Sequence, residues 1–551
     1  MPFDTFSLPA ATHEFDVIVV GSGFGGLFAL QRLRAQGLRV RVYEAGDDVG
    51  GTWYWNRYPG AQCDIESYCY LPLLEELGYV PKEKYSYVNE IFEHSQRVGR
   101  HYRLYESACF QTRVRELRWD EGLKRWRITT NRGDDMKARF VIMALGTASR
   151  AKLPGIPGIE TFEGHTFHTS RWDYDYTGGD TTGNLTKLAD KRVAVIGTGA
   201  TAIQCVPYVG RHAQHLYVFQ RTPSSVDLRG NKPTDPDWAK TLEPGWQRAR
   251  RKNFANIVEG KPFTEDLVND GWTDIFRSLA SGGALAEKLG IKADPLAAVE
   301  LADFVKMNRI RARVDATVKT PEAAEALKPW YRQFCKRPTF NDEYLPTFNR
   351  PNVTLVDVSA SQGVERITPA GVVANGTEYP VDCIIYASGF EISTAFRRRI
   401  GFEIYGRDGL SLYDYYKDGF RTLHGHSSRG FPNWFYIGVG QNGLSVNMTA
   451  MFDDQAQHIA YIIKETRARG ATTVEPTAEA EEAWVETIRS VAILNRDFQN
   501  ACTPGYYNNE GGERSGGLNG QTYTPGINKF NALLAQWREQ GDLEGLELRQ
   551  A

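Results

Sequence analysis

Long apolar runs and paired cysteines are both scarce in this chain of 551 residues. No apolar stretch approaches the roughly 18 residues that a membrane-crossing helix needs, and residues 1–14 lack the basic-then-apolar pattern of a secretory signal. The seven cysteines are scattered and odd in number, with Cys63 and Cys69 the closest pair and no CxxC or CxxxxC among them. That speaks against a disulfide-rich secreted scaffold and against a flavoprotein disulfide reductase, and makes a reducing cytoplasm the expected setting. Charge of one sign is missing as well: 65 basic against 67 acidic residues leave a net charge of −2, too little to draw the protein to nucleic acid or to an anionic membrane. A soluble protein with small-molecule partners is expected, with no metal site.

What is present is a repeated nucleotide-binding pattern. The chain is longer than one hydrophobic core supports, so two or more domains are expected. Residues 15–20 (FDVIVV) form a β-branched run ending at Gly21-Ser22-Gly23-Phe24-Gly25-Gly26, after which Leu27, Leu30 and Leu33 recur at helical spacing. A second run, 38–43, closes on Glu44 and completes a strand–helix–strand unit. The pattern returns at 192–196 (RVAVI), followed by Gly197-Thr198-Gly199-Ala200-Thr201-Ala202, a helical stretch and the strand-like 216–220. Runs at 141–146 and 383–389, each a strand meeting a glycine, are partners of one another. Residues 227–330, rich in Ala, Lys, Glu and Asp, read as a helical insertion. A helix is expected near 452–469, stopping at Gly470, and 503–526 reads as a long functional loop. The predicted fold class is α/β, with two Rossmann-like dinucleotide-binding domains. The first spans 1–150 and 386–551, the second 151–226 and 331–385, with the insertion at 227–330.

In a Gly-x-Gly-x-x-Gly turn the first glycine permits the bend and the second lets backbone approach a pyrophosphate at the positive end of the helix; the third lets helix pack on strand. Gly21, Gly23 and Gly26 hold these positions, and Glu44 follows Gly26 by 18 residues, where a carboxylate accepts from an unphosphorylated ribose. In the second unit the equivalent position is Gln220, followed by Arg221 and Thr222. A cation in place of an acid attracts a 2′-phosphate and predicts NADPH over NADH, a solvated surface charge at Arg221 being the alternative. Two sites of differing preference suit hydride transfer from nicotinamide to flavin, with FAD in the first domain and NADPH in the second.

Residues 162–173 (FEGHTFHTSRWD) match an FxGxxxHxxxW(P/D) pattern, and Gly50-Gly51-Thr52-Trp53 through Tyr58-Pro59-Gly60 to Asp64 match GGxW…(F/Y)PG…D. Over nearly its whole length the sequence thereby resembles the Baeyer–Villiger monooxygenases. The resemblance implies that NADPH reduces FAD, that O2 adds to the reduced flavin as a peroxide, and that this peroxide attacks a ketone. An ester or lactone then forms through a tetrahedral adduct. Such chemistry calls for a fixed cation in a water-poor site. By resemblance the cation is Arg337 of Lys336-Arg337-Pro338, held by Asp64, with Lys336 helping to hold NADP. Thr52, Trp53 and Tyr70 would line FAD, while Gln62, Thr198, Gly199, Ala200, Thr201, Arg221 and Thr222 would meet NADP. Tyr54, Trp55, Cys63, Asp64, Val114, Ala202, Ile203, Gln204, Lys336 and Arg337 complete the implied cofactor contacts, although Trp53 and Trp55 could instead be core. His168 reads as a brace for an interdomain linker. The family's C-terminal loop tryptophan is missing from 497–505, and Tyr506-Tyr507-Asn508-Asn509 resembles members that act on bulky cyclic or polycyclic ketones. An N- or S-oxygenating flavin monooxygenase is the alternative, since it does not require Arg337. A non-enzymatic redox sensor is the remote one.

Overall fold

The computed structural model describes residues 14–392, 394–492, 496–512 and 522–550. The leader reading at 1–13 and the part of the expected loop at 513–521 lie outside them. Two largely parallel sheets form the frame. The β-branched strand Glu14–Val20 pairs in parallel with Val40–Tyr43 on one side and Asp135–Met143 on the other. Arg125–Thr130 and Val114–Asp120 extend that sheet in antiparallel fashion, and Trp434–Tyr436 adds a parallel strand at the end of Asp135–Met143. The second sheet is wholly parallel, in the order Val353–Asp357, His215–Gln220, Arg192–Ile196, Cys383–Tyr386, His165–His168. Its strand order reverses between Arg192–Ile196 and Cys383–Tyr386, which opens a crevice at their carboxyl ends.

The same joint is built at both crevices. A Cβ on Gly21 would lie 2.4 Å from the Ala144 carbonyl oxygen, and one on Gly197 would lie 2.5 Å from that of Ala387. With φ of +106° and +110°, only glycine suits either turn. Behind the first turn, a Cβ on Gly26 would sit 1.9 Å from the Gly21 carbonyl oxygen, so the third glycine is what lets the helix Phe24–Arg34 close on its strand.

The chain leaves the first sheet for the second and returns through one two-stranded crossing. There the Lys152 amide donates to the Gly389 carbonyl at 2.9 Å, and the Glu391 amide donates to Arg150 at 3.0 Å. His168 is buried and packs its ring on Phe390 of the returning strand. Within 227–330 the structure is helical, and its helices divide between two cores. Phe254, Trp272 and Ile275 join the first unit's core; Val314, Ala324 and Leu327 join the second's. The insertion therefore bridges the units, and the parallel pairing of Val226–Asp227 with Thr339–Phe340 closes its base. The helix expected near 452–469 begins at Met448 because the Asn447 side chain caps it, and it stops before Gly470 at φ +68°. Within the expected loop, Tyr506–Gly511 coils into a 3₁₀ turn.

One pair of the scattered cysteines is nevertheless bonded. Cys335 and Cys502, 167 residues apart, are joined by a disulfide with their Cα atoms 5.1 Å apart. Spacing along the chain cannot reveal a pair that tertiary folding brings together. The other five cysteines are free. Thiol titration of the denatured protein is expected to count five groups without reductant and seven after reduction. Seven under both conditions would show that the bond does not form.

Candidate active site

Both crevices open on one cavity of about 1760 Å³. On the first side, the buried Glu44 carboxylate accepts from the Ser22 amide and hydroxyl, each at 2.9 Å, and from the Gly46 amide at 2.8 Å. It thus ties the glycine turn to the tip of the neighbouring strand while still lining the cavity. Thr52, Trp53 and Trp55 face the cavity from a single helical turn. The Trp53 indole donates to the Tyr70 hydroxyl at 2.9 Å, and Trp55 lies 3.8 Å beneath the Arg171 guanidinium. Cys63 and Val114 also line the wall. Burial pushes the Cys63 thiol up to about 12, which leaves it an inert wall residue.

On the second side, the Thr198 hydroxyl donates to the Thr222 carbonyl at 2.8 Å and closes the cradle over Gly199, Ala200 and Thr201. Gln204 reaches across to the first unit: its amide donates to the Gln62 carbonyl at 2.8 Å, and its oxygen accepts from the Tyr58 hydroxyl at 2.8 Å. Gln220, in the acid's place, is buried and turns its amide to Ala326 at 2.7 Å, leaving Arg221 and Thr222 to face the cavity. Four of the implied contact residues do not line the cavity. Ala202 and Ile203 point into the second core at 0% and 1% exposure. Tyr54 turns behind the wall, where its ring meets Phe92 and its hydroxyl accepts from the Asp47 amide at 3.2 Å. Gly26, too, lies beneath the cradle, as its packing requires.

Between the two sides stands Arg337. Its two terminal nitrogens donate to the two Asp64 oxygens at 2.5 and 2.8 Å, a bidentate pair that fixes the plane of the guanidinium. Asp64 is buried, whereas 32% of the Arg337 side chain stays open, so the cation is held without being sealed off. Burial alone would raise the Asp64 carboxyl, but the Arg337 and then the Arg229 guanidiniums outweigh it and hold it below the usual range. Burial likewise works against charge on Arg337, and Asp64 reverses that, raising its pKa above arginine's ordinary value. Arg229 supports the pair from behind, donating to the Gln62 side chain, to the Cys63 carbonyl at 3.2 Å and to the Phe340 carbonyl. Trp272 lies 5.6 Å from the Arg337 guanidinium, and Tyr506 and Tyr507, edge to face at 4.7 Å, line the cavity beside it. Lys336 donates to the Pro504 carbonyl at 2.7 Å; burial, followed by the neighbouring Arg221, lowers its pKa to about 8. Sequence reasoning missed Arg229 and Trp272, whose only local signal is a basic or aromatic residue inside a featureless segment.

Residues 15–242 match the family model described as pyridine nucleotide-disulphide oxidoreductase. The neopentalenolactone D synthase of Streptomyces avermitilis is 53% identical over 98% of this chain and 91% of its own length. Baeyer-Villiger monooxygenase ATR8 of Stachybotrys chlorohalonatus is 49% identical over 98% of this chain and 87% of its own. The solved polycyclic ketone monooxygenase from the fungus Thermothelomyces thermophila superposes with a TM-score of 0.90 at 38% identity, covering 99% of this chain and 91% of that one. The chain belongs to the Baeyer–Villiger monooxygenases.

It is therefore a flavoprotein that uses FAD, NADPH and O2 to insert one oxygen atom beside a ketone carbonyl, giving an ester or lactone. The N- or S-oxygenating and redox-sensing alternatives give way to this reading. The residues present fit two dinucleotides in this monooxygenase. The helices Phe24–Arg34 and Ala200–His212 both begin on a glycine with no side-chain cap, leaving first-turn N–H groups for a pyrophosphate. The cysteine pair of disulphide chemistry has no counterpart in Cys63 and Cys69, both free and buried.

Asp64→Asn, which keeps the shape and removes the charge, is expected to cost about 3 kcal/mol of stability, as breaking a largely buried pair does. The Asp64 contribution should be fully present above its unfolded pKa of about 4 and be lost as pH falls through its lower folded value, so the variant's acid limb should flatten. Denaturant midpoints across pH 3 to 7 would check this, and equal midpoints for both proteins would contradict it.

Proposed function

We propose that Arg337 is the catalytic cation and Asp64 its positioning partner, in a monooxygenase that takes bulky, polycyclic ketones in the cytoplasm. One observation carries the assignment: the guanidinium is held at two points by Asp64 yet keeps 32% of its surface open, between the two glycine cradles. Bound FAD and NADPH supply the reducing equivalents and the activated oxygen. Arg337 then faces the negative charge that builds on the ketone oxygen during attack, and a permanent cation that needs no proton transfer stabilises it. Glu44 would receive the flavin-side ribose, with Thr52, Trp53 and Tyr70 along the flavin wall. Gln62, Arg221, Thr222 and Lys336 would receive NADP in the second domain.

The bulky-substrate reading draws on the cavity volume, on the Tyr506–Tyr507 edge that lines it, and on the likeness to a polycyclic ketone monooxygenase. No helix among the described residues is long and apolar enough to cross a membrane. A cytoplasmic setting would supply NADPH.

Arg337→Ala is expected to remain yellow and to oxidise NADPH, releasing hydrogen peroxide, while ester formation falls at least about a hundredfold. Mass spectrometry of products from a panel of small cyclic and fused-ring ketones, alongside a peroxide assay, checks both parts. Ester yields like those of the wild type would remove Arg337 from catalysis, and turnover of only the small ketones would remove the bulky-substrate reading.

A further inference from the structure

Beside the second cradle, three cations converge on acceptor oxygens of the C-terminal loop. Arg221 donates to Glu510 at 2.7 Å and to the Pro504 carbonyl at 3.2 Å. The Lys152 ammonium lies 3.7 Å from the other Glu510 oxygen, and Lys336 donates to the same Pro504 carbonyl at 2.7 Å. All four side chains line the shared cavity. Arg221 also stands at the strand tip where a nucleotide's 2′-phosphate is read. The Glu510 carboxylate and the Pro504 carbonyl thus offer these cations the acceptor oxygens that a phosphate monoester would offer, and both sets cannot occupy the place together.

The turn that delivers Glu510 has little intrinsic preference for its shape. Asn509, Glu510 and Gly511 have φ of +50°, +57° and +80°, a left-handed path that residues with a Cβ seldom take. The Glu510 amide donating to Gly505 at 2.8 Å and the Asn508 side chain donating to Cys502 at 3.2 Å hold it closed.

We propose that Glu510 is a resident competitor for the 2′-phosphate of NADPH, occupying its place among Arg221, Lys152 and Lys336 and leaving before the nucleotide seats. The proposal rests on the reading of Arg221 as the phosphate-recognising cation. A protein whose competent state is only partly populated binds more weakly in proportion, so Glu510 sets the apparent affinity for the phosphorylated nucleotide and not for its unphosphorylated analogue. Tyr506 and Tyr507 ride on the same turn, which links nucleotide arrival to exposure of Arg337.

The test is calorimetric titration of the FAD-loaded protein with adenosine 2′,5′-bisphosphate and with adenosine 5′-monophosphate. Glu510→Gln is expected to tighten the bisphosphate about three- to tenfold and to leave the monophosphate unchanged. Glu510→Asp keeps the charge but is one methylene shorter, loses its hold on Arg221 and is expected to tighten the bisphosphate as well. Unchanged or weaker bisphosphate binding by Glu510→Gln overturns the proposal. So does tightening by the glutamine variant alone, which would reduce Glu510 to bulk charge. Arg221→Ala separates the two readings. If it binds the bisphosphate as tightly as the wild type, the phosphate role of Arg221 fails; if it loses that affinity while both Glu510 variants change nothing, only the competitor fails.

Discussion

The pairing of Asp64 with Arg337 spans 273 residues and joins a loop of the first unit to the segment by which the chain leaves the helical insertion. Either charge alone in that place is costly, because desolvation penalises each ion and the partner is what chiefly offsets it. The surroundings are arranged accordingly. Arg229 fixes the backbone and side chains around Gln62 and Cys63, the two-residue pairing of Val226–Asp227 with Thr339–Phe340 sets the approach of Arg337, and Trp272 brings insertion side chains beside the guanidinium. The Asp64–Arg337 pair is a junction of three parts of the chain, and its geometry depends on the docking of all three.

A nearly neutral protein can still build a strongly polarised site. The net charge of −2 says nothing of the cavity, where two uncapped helix N-termini and the cations Arg221, Lys152, Lys336 and Arg337 face inward. The acids among them are each assigned to a donor: Glu44 to Ser22 and Gly46, Asp64 to Arg337, Glu510 to Arg221. Two anionic dinucleotides and a reaction that accumulates negative charge need this local field, and a low-dielectric wall strengthens it.

What could be read in the sequence was what short-range physics dictates. The strands before Gly21 and Gly197, the two glycine turns and the contrast between Glu44 and Gln220–Arg221 are local patterns, and the structure carries them as Rossmann-like units. Asp64 and Arg337 were reachable only through resemblance, since nothing within either segment points to the other. Ala202 and Ile203, named by extending the motif along its helix, turn their side chains toward the second core. Arg229, Trp272 and Glu510 gave no signal: the insertion lacks alternation, and the partners of all three lie far away in sequence.

The bond between Cys335 and Cys502 has a topological consequence. It closes a ring beginning one residue before Lys336 and ending just ahead of the loop that carries Tyr506, Tyr507 and Glu510. The segment of Lys336 and Arg337 and the loop that lines the cavity beside it are therefore neighbours by covalent connection as well as by packing. A single backbone cut anywhere inside that ring would leave the two pieces travelling as one molecule until a reductant parted them.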